Sequence, residues 1–508
     1  MSEKEKSGSA PKKPKSKAER TALTERTIEH ALATGTLKGD DYKLPDGHKW
    51  GGLWKIFAGV GALGLAGAGA GYATDAKRFA FAWLFAFVAV LTIAIGAMMF
   101  VLIQHVASAA WSVVVRRIAE IFASGTPVFV VLFIPVALSM NALYPWLSGH
   151  GGEEHGAAEH AMVAPAAGAK LDMSAALAQA GGEHGEHGAA AGAGAKHETA
   201  TDAPKGGPGE RGQHEATHGR PDPDHVAHME TLAKKTGWLN RNGWLFRAFL
   251  YLLVWTGLGT MLLRHSMQQD KTRDPAATVQ ISRLASLGII ILAASLTFAA
   301  FDWLMSLEPT WYSTIFGVIF FASSIVSCLA TLILVLYYLR ATGFLEKEIT
   351  AEHFHDLGKL MFGFLVFWAY VSFSQFMLIW YAAIPEEVTF YHHRWDGGAD
   401  LWKTVSLALV LVHFVLPFFM VLSRNIKRRP ELLRWGALVI IVMHVVEAYW
   451  AVLPYAPQHD FGPHWMDLAC LLGVAGVYLA FVFRNLAQYP LLPVGDPRLA
   501  RSLRFMNA

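Results

Sequence analysis

Of the chain's 508 residues, 53% are hydrophobic and only 16% are charged, and the mean hydropathy is +0.32. That balance excludes a soluble multidomain protein, which would need long polar faces, and places the chain among all-α polytopic membrane proteins. The formal net charge of +3 carries no basic excess for nucleic acid, so no nucleic-acid partner is expected, and the charges inform through their placement.

Residues 1–50 form a basic tail (Lys4, Lys6, Lys12, Lys13, Lys15, Lys17, Arg20) whose composition predicts a largely disordered segment near anionic headgroups. The tail contains no apolar h-region, so a cleaved signal peptide is not expected. Ten apolar segments follow, at roughly 53–73, 79–104, 118–147, 242–264, 284–307, 314–338, 358–382, 402–424, 434–454 and 465–484. Each is long enough to cross a hydrocarbon core about 30 Å thick. The Gly- and Ala-rich composition of the first suits close helix packing. Residues 485–508 form a short C-terminal tail.

Fourteen Lys and Arg residues fall in one set of short loops, among them Arg116, Arg117, Arg264, Arg340, Lys359 and Arg424–Arg434. Only Lys77, Arg78, Arg394 and Lys403 fall in the other. The bias predicts that both termini lie in the cytoplasm, with a lipid bilayer, a bacterial inner membrane if the host is Gram-negative, as the surrounding medium. The stretch 148–241 then lies outside. It is rich in Gly, Ala and Pro, holds ten of the 22 histidines at irregular spacing, and reads as a disordered insertion with no specific metal site. The two cysteines, Cys328 and Cys470, lie inside apolar runs, and the absence of CxxC and CxxCH argues against covalent haem c or a Cys-ligated iron–sulfur cluster in this chain. Isolated histidines, without pairs thirteen or fourteen apart, argue against intramembrane haem b as well.

Ionisable residues within or beside the spans form three levels. Toward the outer face are Asp302, Glu308, Glu386, Glu387, Glu447 and Asp467; near the middle are His413 and His444; toward the cytoplasm are His105, His353, His355 and Asp356. Acid and imidazole groups distributed by depth suit a proton path, because His titrates near neutral pH. His444 and Glu447, three apart, share one helix face. The candidate path comprises Asp302, His413, His444 and Glu447, with Asp356 and His105 near the inner mouth and Glu308, Glu386 or Asp467 near the outer one. Each has a plainer alternative: Asp302 as a structural acceptor between helices, the glutamates as solvated charge, the mid-membrane histidines as satisfied core groups, Asp467 as a helix cap, and His105 and the HFHDLGK run as subunit contacts. Polar Tyr370, Ser372, Ser374 and Gln375 are expected to line the seventh span.

Four stretches, VLIQHVASAAWSVVVRRIAE (101–120), TFAAFDWLMSLEPTWYSTIFGVIFFASS (297–324), HFHDLGKLMFGFLVFWAYVSFSQFMLIWYAAIPEE (353–387) and HFVLPFFMVLSRNIKR (413–428), resemble the ActF-type membrane subunits of bacterial alternative complex III, in the NrfD/polysulfide reductase group. The resemblance spans residues 50–485. It implies two four-helix bundles, spans two to five and six to nine, flanked by the first and last. It also implies a quinol-oxidising assembly in which this chain binds no redox cofactor. Its expected partners are an ActC-type sister subunit, an iron–sulfur subunit, haem c subunits and a terminal oxidase. The basic tail and the His-rich insertion stand outside the shared pattern. The alternatives are a quinone-binding role, with His413 or Asp302 at the quinone ring, and a stand-alone secondary transporter.

Overall fold

The computed structural model describes residues 39–150, 230–395, 400–456 and 462–506, so most of the basic tail and of the His-rich insertion lie outside the described residues. Among the described residues, ten helices are long and apolar enough to cross a membrane: α1 (Lys49–Thr74), α2 (Ala76–Val106), α3 (Val113–Leu138), α4 (Arg241–Thr272), α5 (Pro275–Leu307), α6 (Phe316–Ala341), α7 (Ala351–Ala382), α8 (Leu401–Leu422), α9 (Pro430–Tyr455) and α10 (Trp465–Gln488). The protein is an all-α polytopic membrane protein. The third span begins earlier than the sequence predicts: Arg116 and Arg117, expected in a loop, lie inside α3 and are fully buried, because Glu120 of the same helix and carboxylates from two other segments neutralise them.

The hub is α2. Its sequence, AKRFAFAWLFAFVAVLTIAIGAMMFVLIQHV, is apolar on every face, so it needs neighbours all round. It packs against α1, α3, α5, α6, α9 and α10. Helices α2 to α5 close one bundle through the α2–α3, α3–α4, α4–α5 and α5–α2 contacts. Helices α6 to α9 close the other around α6 and α9. The bundles meet where α2 crosses α6, and α1 pairs with α10 outside them.

Small residues set these crossings. A Cβ on Gly96 would overlap the Ser324 carbonyl of α6, and one on Gly64 would overlap the Gly473 backbone of α10. With lipid outside, helices gain little from the hydrophobic effect, and close backbone approach supplies the packing. The connection between α1 and α2 is a single residue, Asp75, which ends one helix and caps the next by accepting from the Arg78 amide at 2.9 Å.

The described ends of the chain meet on one face. Leu491 N–H donates to Tyr42 O at 2.9 Å, and the segment 489–506 runs as a strap beneath α3, α4 and α7. Ser502 Oγ donates to Trp111 O at 2.7 Å, and the Gly495 amide donates to Asp270 Oδ1 at 3.0 Å.

Gly64→Leu forces α1 off α10. The expected cost is on the order of 1–3 kcal/mol, read as a lower thermal midpoint of the detergent-solubilised protein. An unchanged midpoint would mean that the crossing does not hold the pair together.

Candidate functional site

In the first bundle, Asp302 is fully buried and fully used. Arg247 grips it with Nε on Oδ2 and Nη2 on Oδ1, both at 2.8 Å. Trp238 Nε1 donates to Oδ1 at 2.9 Å and Tyr251 OH to Oδ2 at 2.8 Å. Its backbone carbonyl also accepts from Trp244 Nε1 at 2.7 Å. The Arg247 guanidinium stacks 4.0 Å over Trp238. A bidentate arginine and two further donors saturate the carboxylate, so the geometry is that of a structural pin joining α4 to α5. The structure separates Asp302 from His413, His444 and Glu447, which it brings together in the second bundle.

There Glu447 and His444 share a face of α9, as their spacing predicts, and meet Ser323 of α6. Ser323 Oγ stands 2.5 Å from Glu447 Oε2 and 3.1 Å from His444 Nδ1. Nε2 of His444 faces Thr92 Oγ1 at 2.9 Å and Ala89 O at 3.1 Å, both on α2. Thr92 Oγ1 donates to carbonyls of its own helix, at Val88 and Ala89, so Nε2 carries a proton and donates. Glu447 Oε1 accepts from Trp368 Nε1 of α7 at 2.6 Å. The Trp368 ring is stacked on His413 at 4.3 Å. His413 lies in a π-helical turn of α8, Leu409–Val415, an irregularity that often marks functional positions. Among the described residues, Glu447 has no lysine or arginine within ion-pair distance; its nearest ionisable partner is His444, at 3.7 Å.

Beside this cluster lies a cavity of about 50 Å³, bordered by Thr92, Ser323, His444 and Glu447 and walled toward the outer face by Leu304, Phe316, Trp450 and Ala451. Val88, Ile319, Phe320 and Ala448 complete its lining, so its free surface is almost wholly apolar. The outer wall adjoins two further groups. Arg394, buried, donates to the Trp450 and Ala451 carbonyls at 3.1 Å and stacks 3.7 Å over Phe390, closing the C-terminal end of α9. Glu308 Oε2 lies 3.4 Å from His393 Nε2. Nearby, Gln375 accepts from Ser313 at 2.8 Å and donates to Tyr391 at 3.1 Å. Gln375 is the buried member of the polar set expected on α7; Tyr370 is exposed, and Ser374 bonds its own helix. The side chain of Glu386 lies outside the described residues.

Asp467 is a cap, as one of its two sequence readings has it. It forms a capping box with His464 at the start of α10 and pairs with the buried Arg78 at 2.6 Å.

The candidates at the opposite end of the spans stand apart. His105 lies 13 positions beyond Thr92, about 20 Å along α2, and the residues between include Ile95, Met98, Met99, Phe100 and Leu102, all buried and apolar. Asp356 pairs with Lys359 at 2.5 Å, about 18 Å along α7 from Trp368. A dry layer therefore separates both from the Glu447 cluster. His353, also at that end, accepts from the Thr350 amide through Nδ1 at 3.1 Å and contacts Ser502 O through Nε2 at 3.1 Å, fastening the strap to α7.

Sequence reasoning missed the largest charge cluster. Glu120 of α3 takes Arg116 Nε on one oxygen and Arg117 Nε on the other, each at 3.0 Å. Arg116 reaches Asp496 of the strap and Arg117 reaches Asp270 of α4, each at 2.7 Å. The signal was present: in VVVRRIAEIF, Glu120 follows the arginines at i+3 and i+4. Thr92, Ser323, Trp368 and Arg247 carried no comparable mark.

Burial alone would raise the Asp496 carboxyl, but Arg116 and Arg498 outweigh it and hold the group below the usual carboxylate range. A depressed folded value means that the charged form stabilises the strap. That contribution is complete above the unfolded value near pH 4 and is lost as the pH falls through the folded one. Asp496→Asn removes it at all pH values and leaves Arg116 short of a partner, at a cost of about 3–5 kcal/mol. Limited proteolysis at pH 7 should cut residues 489–506 in the variant and spare them in the parent; equal protection would refute the role.

No protein-family model matches the chain, and no curated protein matches its sequence.

Proposed function

We propose that the chain is an integral membrane subunit of a quinol:cytochrome c-type oxidoreductase resembling alternative complex III, and that the Glu447 cluster is a proton-loading site within it. The assembly reading rests on the resemblance of the four sequence stretches. The proton reading rests on one observation: Ser323 stands between a carboxylate and an imidazole and has a single proton to give.

With His444 Nε2 already a donor, the triad accommodates one mobile proton in two ways. In one, Nδ1 of His444 is protonated and donates to Ser323 Oγ, and the Ser323 hydroxyl donates to the Glu447 carboxylate. In the other, Glu447 is protonated and donates to Ser323 Oγ, and the hydroxyl turns to donate to Nδ1. Passing from the first to the second moves the Nδ1 proton to Ser323 Oγ and the Ser323 proton to Glu447, with no atom travelling more than a hydrogen-bond length. Trp368 holds Glu447 Oε1 in both states, so the carboxyl stays in register with the serine. The dry layer closes the inner side, and in this proposal protons reach the pair from the outer side by way of the small, mostly apolar cavity. The result is an outer half-channel, with Glu308 and His393 at the rim. His413 supports Trp368 by stacking, and Asp302 holds the neighbouring bundle in place.

In proteoliposomes containing the whole complex, Glu447→Gln should abolish the proton translocation that exceeds quinol chemistry while electron transfer persists in the presence of uncoupler. Asp302→Asn should lower the amount of assembled complex yet leave protons per electron unchanged. Normal stoichiometry in Glu447→Gln would overturn the loading site.

A second reading, a quinone contact, is favoured by one feature. A cavity of about 220 Å³ opens near the outer face between Trp238, Phe301, Met305, Trp311 and Tyr312, with the Lys235 ammonium 5.5 Å over the Tyr312 ring. Aromatic walls and one cationic donor suit a planar dicarbonyl ring. His413 and Asp302, the contacts expected from the sequence, are both enclosed. An azidoquinone should then label Trp238 or Tyr312; labelling confined to other subunits would remove this reading.

A further inference from the structure

We propose that the end of α6 and the start of α9 bind the headgroup of an anionic phospholipid, its phosphodiester held among Arg340, Arg429 and Arg434. This patch lies on the face that carries the described chain ends, remote from the Glu447 cluster, and does not depend on the function proposed for it.

The neighbouring cations of that face are already occupied. Arg428 pairs with Glu352, Lys359 pairs with Asp356, and Lys427 Nζ donates to the Val421 and Leu422 carbonyls at 2.9 Å. Among the described residues, Arg340, Arg429 and Arg434 have no carboxylate within ion-pair distance. Arg434 is nevertheless held in place: its guanidinium stacks 4.7 Å over Tyr337 of α6 and 4.9 Å over Trp435, and its buried Nε has no hydrogen-bond partner. A cation fixed between two rings with an unused donor is prepared for an acceptor that the protein does not supply. Arg340 follows Tyr337 by three residues on α6, and Arg429 is the residue that opens α9. Arg429 caps α9 without a side-chain hydrogen bond, and Pro430 follows at the first position, so the positive end of a long helix opens at the same point. On α9 the one acidic residue of the first turn is the exposed Glu431, set against Arg429 and Arg434.

The source of the phosphodiester follows from what lies next to the cations. Beyond Arg434, Trp435, Leu438 and Val442 are exposed on one face of α9, at spacings of three and four, and Tyr338, next to Tyr337 on α6, is half exposed. Arginines at the headgroup level above an unbroken apolar track match a molecule with a phosphate at one end and acyl chains at the other. A soluble anion would use only the first half of that surface. Three guanidinium groups suit a lipid with two phosphates, a diphosphatidylglycerol, better than one with a single phosphate.

The test uses the full chain in dodecyl maltoside, with binding of tetraoleoyl cardiolipin and dioleoyl phosphatidylcholine followed by native mass spectrometry. The parent should bind cardiolipin at least tenfold more tightly than phosphatidylcholine. The exposed Arg429→Gln should lower cardiolipin binding about fivefold, the worth of one cation at a membrane surface. Arg429→Gln/Arg434→Gln should lower it tenfold or more. Lys271→Gln/Arg283→Gln, which removes the same charge from the first bundle on the same face, should leave it unchanged. Equal loss in the two double variants would reduce the effect to diffuse attraction, and unaltered binding in Arg429→Gln/Arg434→Gln would locate the lipid elsewhere. Displacement of cardiolipin by millimolar inorganic phosphate would make the ligand a soluble anion; each of these three results overturns the site.

Discussion

A charge inside hydrocarbon has to be answered by another group, and the structure depends on how each answer is made. Asp302 is answered by Arg247, Glu120 by Arg116 and Arg117, and Asp467 by Arg78. These pairs are strongly held because removal of either member leaves an uncompensated ion. Together with the Arg116–Asp496 and Arg117–Asp270 pairs, they fix α4 to α5, α3 to the strap and to α4, and α2 to α10. Glu447 differs in kind: its partners are a serine, an indole and a histidine, and a small cavity lies beside it. A carboxylate met by a permanent cation has no reason to change its proton content. One met by neutral donors and an imidazole can exchange a proton without opening an ion pair, which is why the chemistry is assigned there.

The placement of this cluster follows from the hub. Helix α2 carries Thr92 and the Ala89 carbonyl, α6 carries Ser323, and α9 carries His444 and Glu447, so the site sits on the seam where the two bundles cross. Gly96 lets α2 approach the α6 backbone within a turn of Thr92. The ends of the bundles remote from the strap are closed by different means. In the first, an arginine near the start of α4 grips a side chain near the end of α5. In the second, Arg394, just before α8, grips two main-chain carbonyls near the end of α9. An arginine thus closes each bundle at the same corner, and only the first pairing requires an acid.

Much of this was legible in the residues. Ten spans, ends on one face, the Glu447–His444 pairing and the cap at Asp467 all follow from hydrophobic runs, loop charge and helical periodicity. The partners of Asp302 did not: Arg247 lies at a span end, where arginine is ordinary, and only the fold shows which way it turns. Arg116 and Arg117 misled for the same reason, since loop-like charge at a span boundary counts toward orientation whether it faces water or a buried glutamate. Depth alone grouped Asp302 with Glu447. Their separation into two bundles is a property of lateral packing, which no one-dimensional pattern encodes. The dry layer between Thr92 and His105 was equally hidden, because an apolar residue reads the same whether it faces lipid or blocks water.

The pairing of α1 with α10 bears on biogenesis. Each supplies the backbone groove into which the other fits, at Gly61 and Gly64 against Gly473 and Gly476. During synthesis the earlier of the two enters the bilayer while its counterpart has yet to be translated, and α2 to α9 are inserted in the interval. Its exposed glycine seam must wait, shielded by lipid or by the insertion machinery. Closure of that seam then reports that the intervening helices have all been delivered, so a nascent chain stalled before α10 keeps an open flank on which quality-control proteases can act.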